Sequence, residues 1–325
     1  MRILIFTKNN QMKKMTAHII LLTAIIFSFT STSHAETIIY GKNGKLKKDI
    51  LPVPYFQKVP EASVTGWDFM LQADKMDVWD LQDKIVEVVL QGNVPNANRN
   101  FRKLVYKTPV IDSVEILKKP HTVELWILTE YISIGTDDNC VRMPMGPLAA
   151  QAIADSLNCI LPTAYLVDRI AEASVGHLEI FPFRPLGDRN CQPIVFQDSN
   201  NAINAFYKER GYKFGDLISG LKKDVVLTYK IHTLPGNENR VAIYGWHIPD
   251  GSFIQPLYVK HVNYYVDYSH GIRMIYRKMK VDGKEYDAKE VLESCDLYRL
   301  LSDEPMHLQR ATYEGFPKWY PNQKK

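Results

Sequence analysis

The chain has 325 residues, 46% of them hydrophobic, with 40 Lys and Arg against 36 Asp and Glu and a formal net charge of +4. That hydrophobic share excludes a disordered or collagen-like polymer. The basic residues are scattered rather than striped, so no nucleic-acid partner is expected.

The first 35 residues read as an address. Lys13 and Lys14 precede an apolar run over 17–29, and Ser33-His34-Ala35 places small residues where a signal peptidase reads. A signal peptide over 1–35 is therefore expected, with Glu36 as the mature N-terminus and a secreted or periplasmic location. The run is shorter than the roughly 20 apolar residues of a membrane span, so no transmembrane anchor is expected in the mature chain. Four cysteines follow: Cys140, Cys159, Cys191 and Cys295. In an oxidising compartment they allow up to two disulfides, with buried free thiols as the alternative.

Residues 36–62, rich in Pro and Lys, read as an extended leader. Over 65–90 the spacing of Trp67, Met70, Leu71, Val78, Leu81, Ile85, Val88 and Val89 predicts one amphipathic helix capped by Thr65. The period changes over 101–131, where Leu104, Tyr106, Val123, Leu125 and Ile127 alternate and predict two or three antiparallel strands. Asp137-Asp138-Asn139 then forms a loop that could bind a divalent cation, hold Arg142 or simply turn the chain. Helices over 148–157 and 161–173 make a hairpin packed on a sheet, with Asp168-Arg169 as a surface pair. A short strand over 177–183, a helix over 200–207 and a strand over 224–232 come next. Lys222 and Lys223 read as guards at a sheet edge.

The stretch 241–276 holds the candidate site. Two β-rich runs flank the turn Ile248-Pro249-Asp250-Gly251, and the second is broken at Ser269-His270-Gly271. His247, His261, Asp267, Ser269, His270 and Arg273 lie on this framework as candidate catalytic residues. Asp267 could orient an imidazole while Ser269 or a water attacks, and His247 or His261 is a better base for Ser269 than its neighbour His270, because adjacent strand residues face opposite sides. Arg273 would hold an anionic group or a developing oxyanion, and His247 is expected within reach of Ser269 or His270. A hairpin turn at 281–284, a final helix over 287–301 and an irregular tail over 305–325 complete the chain.

The whole predicts an α+β fold: a largely antiparallel β-sheet with an inserted helical hairpin and an N-terminal helix. A single domain over 63–304 is expected, with a subdivision near 175–220.

Ser269-His270-Gly271-Ile272-Arg273-Met274, with His247 upstream after Gly245-Trp246, resembles the active-site signature of the L,D-transpeptidases. The resemblance covers roughly a tenth of the chain. It implies a secreted, mainly β enzyme that remodels peptidoglycan. The family's signature carries a cysteine after the glycine; here Ile272 follows Gly271 directly, and Cys191 and Cys295 are distant in sequence. Thiolate attack is therefore not carried over.

Three functions follow from these residues. The first is a secreted hydrolase or acyl-transfer enzyme acting on cell-wall peptidoglycan or another extracellular polymer or peptide, with a His/Asp/Ser site and no cofactor. Second comes a non-catalytic envelope protein that binds carbohydrate or a partner. The third is a zinc-dependent hydrolase using His247, His261, Asp267 and His270 as ligands.

Overall fold

The computed structural model describes residues 37–40, 44–53, 56, 60, 63–179, 182–183 and 186–314. The expected signal peptide and the tail beyond residue 314 lie outside the described residues. Strands β1 (Thr37–Tyr40), β2 (Gly44–Pro52), β3 (Asn100–Lys107) and β4 (Thr122–Ile127) form an antiparallel series. The expected leader thus supplies two strands instead. Its lysines at 45–48 fall on β2, which is paired with β1 on one side and β3 on the other.

Two helices stand where one was expected, α1 (Gly66–Ala73) and α2 (Val78–Leu90). The apolar stripe runs through both, but capping divides them. Thr65 Oγ1 accepts the Asp68 N–H (3.1 Å), and Asp77 Oδ1 accepts the N–H groups of Trp79 and Asp80 (2.8 Å each), which starts a second helix. Strands β5 (Ser133–Gly135) and β6 (Cys140–Arg142) then make a two-stranded ribbon. The helical hairpin follows as α3 (Pro147–Ser156) and α4 (Ala164–Glu172), joined by β7 (Cys159–Ile160).

Strand β8 (Gly176–His177) pairs in parallel with β9 (Ile218–Ser219) across α5 (Pro193–Arg210). Pro193 opens α5 and Gly211, at φ 73°, closes it, so the helix outruns the expected 200–207. The remaining elements are β10 (Lys223–Val225), α6 (Lys230–Thr233), β11 (Arg240–His247), β12 (Phe253–Val262), β13 (His270–Gly271), β14 (Ile275–Tyr276), β15 (Lys278–Val281), β16 (Lys284–Asp287) and α7 (Ala288–Glu293). The strand expected over 224–232 stops at Val225, and the final helix stops at Glu293 rather than 301.

The fold is α+β with mostly antiparallel sheets. An eight-stranded sheet has the order β1-β2-β3-β4-β14-β7, with β15 beside β4 and β16 outside it. A four-stranded sheet has the order β12-β11-β10-β13, in which β10 and β13 alone run parallel. Helix α4 packs on β11. A Cβ at Gly245 would stand 3.1 Å from Val167 Cγ1, so the glycine, at φ 99°, lets that helix approach.

The described part of the tail, 305–314, does not hang free. Leu308, Ala311 and Tyr313 are buried, and the Tyr313 hydroxyl accepts the Ala242 N–H (3.0 Å) and donates to the Val226 carbonyl (2.6 Å). All four cysteines are free, so the expected disulfides are not formed. Cys140 pairs with Gly135 in the small ribbon and Cys159 with Tyr276 in the large sheet, which puts the two thiols nearest in sequence in separate sheets. Among the described residues no helix is long and apolar enough to cross a membrane.

Candidate functional site

Strand β10 organises the site. Lys223 is paired with Gly245 of β11 on one side and His270 of β13 on the other, so the expected edge lysines lie in the middle of a sheet. Lys222 is 1% exposed and Asp224 3%. By strand alternation these two face one side and Lys223 the other.

On the Lys223 side the strand break gathers four of the six expected residues. Asp267 Oδ1 accepts both the N–H (2.8 Å) and the hydroxyl (2.5 Å) of Ser269, and Oδ2 accepts the Tyr265 hydroxyl (3.3 Å). His270 Nε2 stands 4.0 Å from Asp267 Oδ1, and neither ring nitrogen of this fully buried side chain has a hydrogen-bond partner. The His261 ring is stacked on Tyr265 with centroids 4.2 Å apart. Ser269 is buried and its hydroxyl is committed to Asp267, so it shapes the turn rather than offering a nucleophile. Gly271 serves packing: a Cβ there would come 2.6 Å from Tyr131 Cε1. That ring fills the space beside this backbone.

Sequence distance concealed one member. Cys191, half-buried at the end of a 3-10 turn leading into α5, lies against Tyr265 and Val266 and within the field of Asp267. Burial pushes its thiol up to about 11, with Asp267 acting in the same sense and contacts from Val266 and Tyr265 against it. Tyr265 therefore touches a thiol, an imidazole and a carboxylate.

Protonation states are set apart. Burial disfavours the Asp267 carboxylate, yet neighbouring positive charge and the two Ser269 hydrogen bonds hold it at about 2. His270 is driven by burial down to about 4, so it is neutral at pH 7. His261 is lowered by burial too, with Asp267 opposing. A neutral imidazole beside an ionised carboxylate is ready to accept a proton.

His247 and Arg273 sit elsewhere. Gly245 and Trp246 (φ 59°) both take left-handed backbone in β11, beside a register shift, and His247 just beyond them meets α4. Its Nε2 is 2.8 Å from Asp168 Oδ1, which also accepts the Tyr244 hydroxyl (2.9 Å). The expected link to Ser269 or His270 is replaced by this one, and the half-buried Asp168 pairs with His247 and Tyr244 while Arg169 pairs with Glu172. Arg273 is buried, donates to the carbonyls of Leu128 (3.1 Å) and Thr129 (2.6 Å) and stacks on Tyr131. Its Nε lies 3.9 Å from Asp224 Oδ1, while Asp224 Oδ2 accepts the Tyr131 hydroxyl (3.0 Å). Burial raises Asp224 to about 6. Arg273 is thus a fixed element of the core, not a group reaching for substrate.

The zinc set does not fit this arrangement. His247 is bound to Asp168 and His261 is stacked on Tyr265; among the described residues no three His, Cys, Asp or Glu side chains are grouped to hold a metal ion. Nor does the 137–139 loop serve Arg142. Asp137 Oδ1 accepts the Asn96 N–H (2.6 Å), while Arg142 is held by Glu130 through Nε–Oε1 (3.0 Å) and Nη2–Oε2 (2.8 Å), both residues 0% exposed.

Lys222 gives a pH test. Its Nζ donates to the Tyr268 carbonyl (2.5 Å), and burial lowers it from 10.5 to about 7. Between pH 7 and 9 the unfolded chain then binds more protons than the native one, so stability rises with pH. Denaturant titration should find a gain on the order of 2 kcal/mol across that window, and Lys222→Met should flatten it. An unchanged slope in the variant would assign the effect elsewhere.

No protein-family model, curated protein or solved structure matches this chain.

Proposed function

We propose that the protein is a hydrolase or acyl-transfer enzyme in which Cys191 is the nucleophile, His261 the base and Asp267 the carboxylate that stabilises the imidazolium. One observation carries this reading: thiol, neutral imidazole and ionised carboxylate all lie against Tyr265. A thiol held near 11 does not ionise unaided at pH 7, so proton transfer to His261 accompanies attack. The thiolate adds to a carbonyl carbon, and the proton passes from His261 to the departing amine. Water or an acceptor amine then releases the acyl group. Ser269 fixes Asp267, and buried His270 supports the turn.

Resemblance at 269–274 points to cell-wall peptidoglycan, or another extracellular or periplasmic polymer or peptide, as the substrate class. The expected signal peptide supports the same location. Intact-mass measurement of exported protein should show a chain lacking the first 35 residues; full-length protein confined to the cytoplasm would overturn that placement.

Alkylation tests the site. Iodoacetamide labelling followed by peptide mass spectrometry should modify Cys191, and the rate should fall in His261→Ala while exposed Cys295 labels as before. Equal rates at Cys191 in both proteins would remove the base from the mechanism. A protein that turns over no peptidoglycan fragment and is indifferent to Cys191 would be the non-catalytic binding protein of the second reading.

A further inference from the structure

A second cleft lies away from Tyr265. It measures about 650 Å³, within the range of roughly 300–1,000 Å³ usual for small-molecule sites, and runs between α5, the 137–140 loop and the start of α1. Its lining residues on α5 extend from Gln197 to Lys208, eleven positions and roughly 16 Å at 1.5 Å per residue. That is longer than one sugar ring.

The chemistry of the lining is specific. Trp67, on α1, lines the cleft and is 45% exposed, although Trp is usually well covered. Facing amides come from Gln197, Asn201 and Asn204. Gln197 is 7% exposed and its Oε1 has no hydrogen-bond partner, while its Nε2 donates to Asn201 (2.8 Å). An unpaired buried amide oxygen is costly and asks for a donor. Beneath them Arg142 is neutralised by Glu130 and capped by Asn200 (3.2 Å) and Asn204 (2.8 Å), so the floor offers amides rather than net charge. Two carboxylates line the cleft, Asp137, which accepts from Asn96, and the exposed Asp138, against the one exposed ammonium of Lys208, so the lining is slightly acidic.

We infer that this cleft binds a neutral oligosaccharide. An indole face suits the apolar C–H face of a sugar ring, amides and carboxylates suit its hydroxyls, and the slight excess of carboxylate disfavours phosphates and polyanions. The inference concerns binding alone and stands whether or not Cys191 is a nucleophile.

Binding can be measured on the full protein carrying Cys191→Ala, so that no turnover intervenes. Chitotetraose, cellotetraose and maltotetraose are titrated by calorimetry, with an acidic peptide as the competing class. At least one sugar should bind, and both Trp67→Ala and Asp138→Ala should weaken it, the former by about tenfold, with melting temperatures unchanged. Asp138 is on an exposed loop, so its variant remains informative if Trp67→Ala fails to fold. The inference is overturned if none of the sugars binds at millimolar concentration, if the peptide binds instead, or if both variants bind as the parent does.

Discussion

Cys191→Ala is expected to lower turnover of a peptidoglycan fragment by about 10³-fold or more, because the nucleophile acts with its base as a unit and either loss breaks the step. His261→Ala should cost about 10²–10⁴-fold, the range of a positioned general base. Combining the two replacements should cost little beyond Cys191→Ala alone. Neither side chain fills the core: Cys191 and His261 are half-buried, so melting temperatures should hardly move. Ser269→Ala separates this mechanism from a serine one. It removes a hydrogen bond to Asp267 and should reduce the rate much less than Cys191→Ala. If Ser269→Ala is instead the dead variant and Cys191→Ala retains activity, the thiol mechanism is wrong.

Arg142→Met is expected to be the most destabilising single replacement at the polar interior, at about 3–5 kcal/mol, since it strands the Glu130 carboxylate away from water. Both partners are 0% exposed and joined by two hydrogen bonds. For a chain of this size the corresponding fall in melting temperature is about 10 °C or more. Glu130→Leu with Arg142→Met should recover much of the loss, because the unpaired charge is what costs, and the two effects should be clearly non-additive in urea titrations. Additive losses, or a cost under about 1 kcal/mol for Arg142→Met, would mean that water reaches the pair.

Local pattern made much of this architecture readable. Alternation at 101–131 marks β3 and β4, the hairpin of α3 and α4 falls where its apolar spacing puts it, and Asp282-Gly283 makes the turn between β15 and β16. Capping was less visible, because Asp77 interrupts a helix without interrupting its stripe. At the site, contiguity was the limit. Asp267, Ser269 and His270 are neighbours in the chain and were found together, whereas Cys191 and Asp168 arrive from far upstream. His247 and Arg273 drew notice by residue type, yet each satisfies the interior. Lys222-Lys223-Asp224 carried a signal that was present and misread: three charged residues at the head of an apolar strand suit a sheet edge, and only tertiary pairing with β11 and β13 buries them.

The hook formed by Tyr313 bears on how the chain is made. Its hydroxyl joins the carbonyl of Val226 to the N–H of Ala242, on or beside two central strands that are synthesised some seventy residues or more before it. During synthesis those two backbone groups must wait, solvated or mispaired, until this late segment emerges. The pairing at the centre of the four-stranded sheet is therefore completed only once the segment carrying Tyr313 has been made.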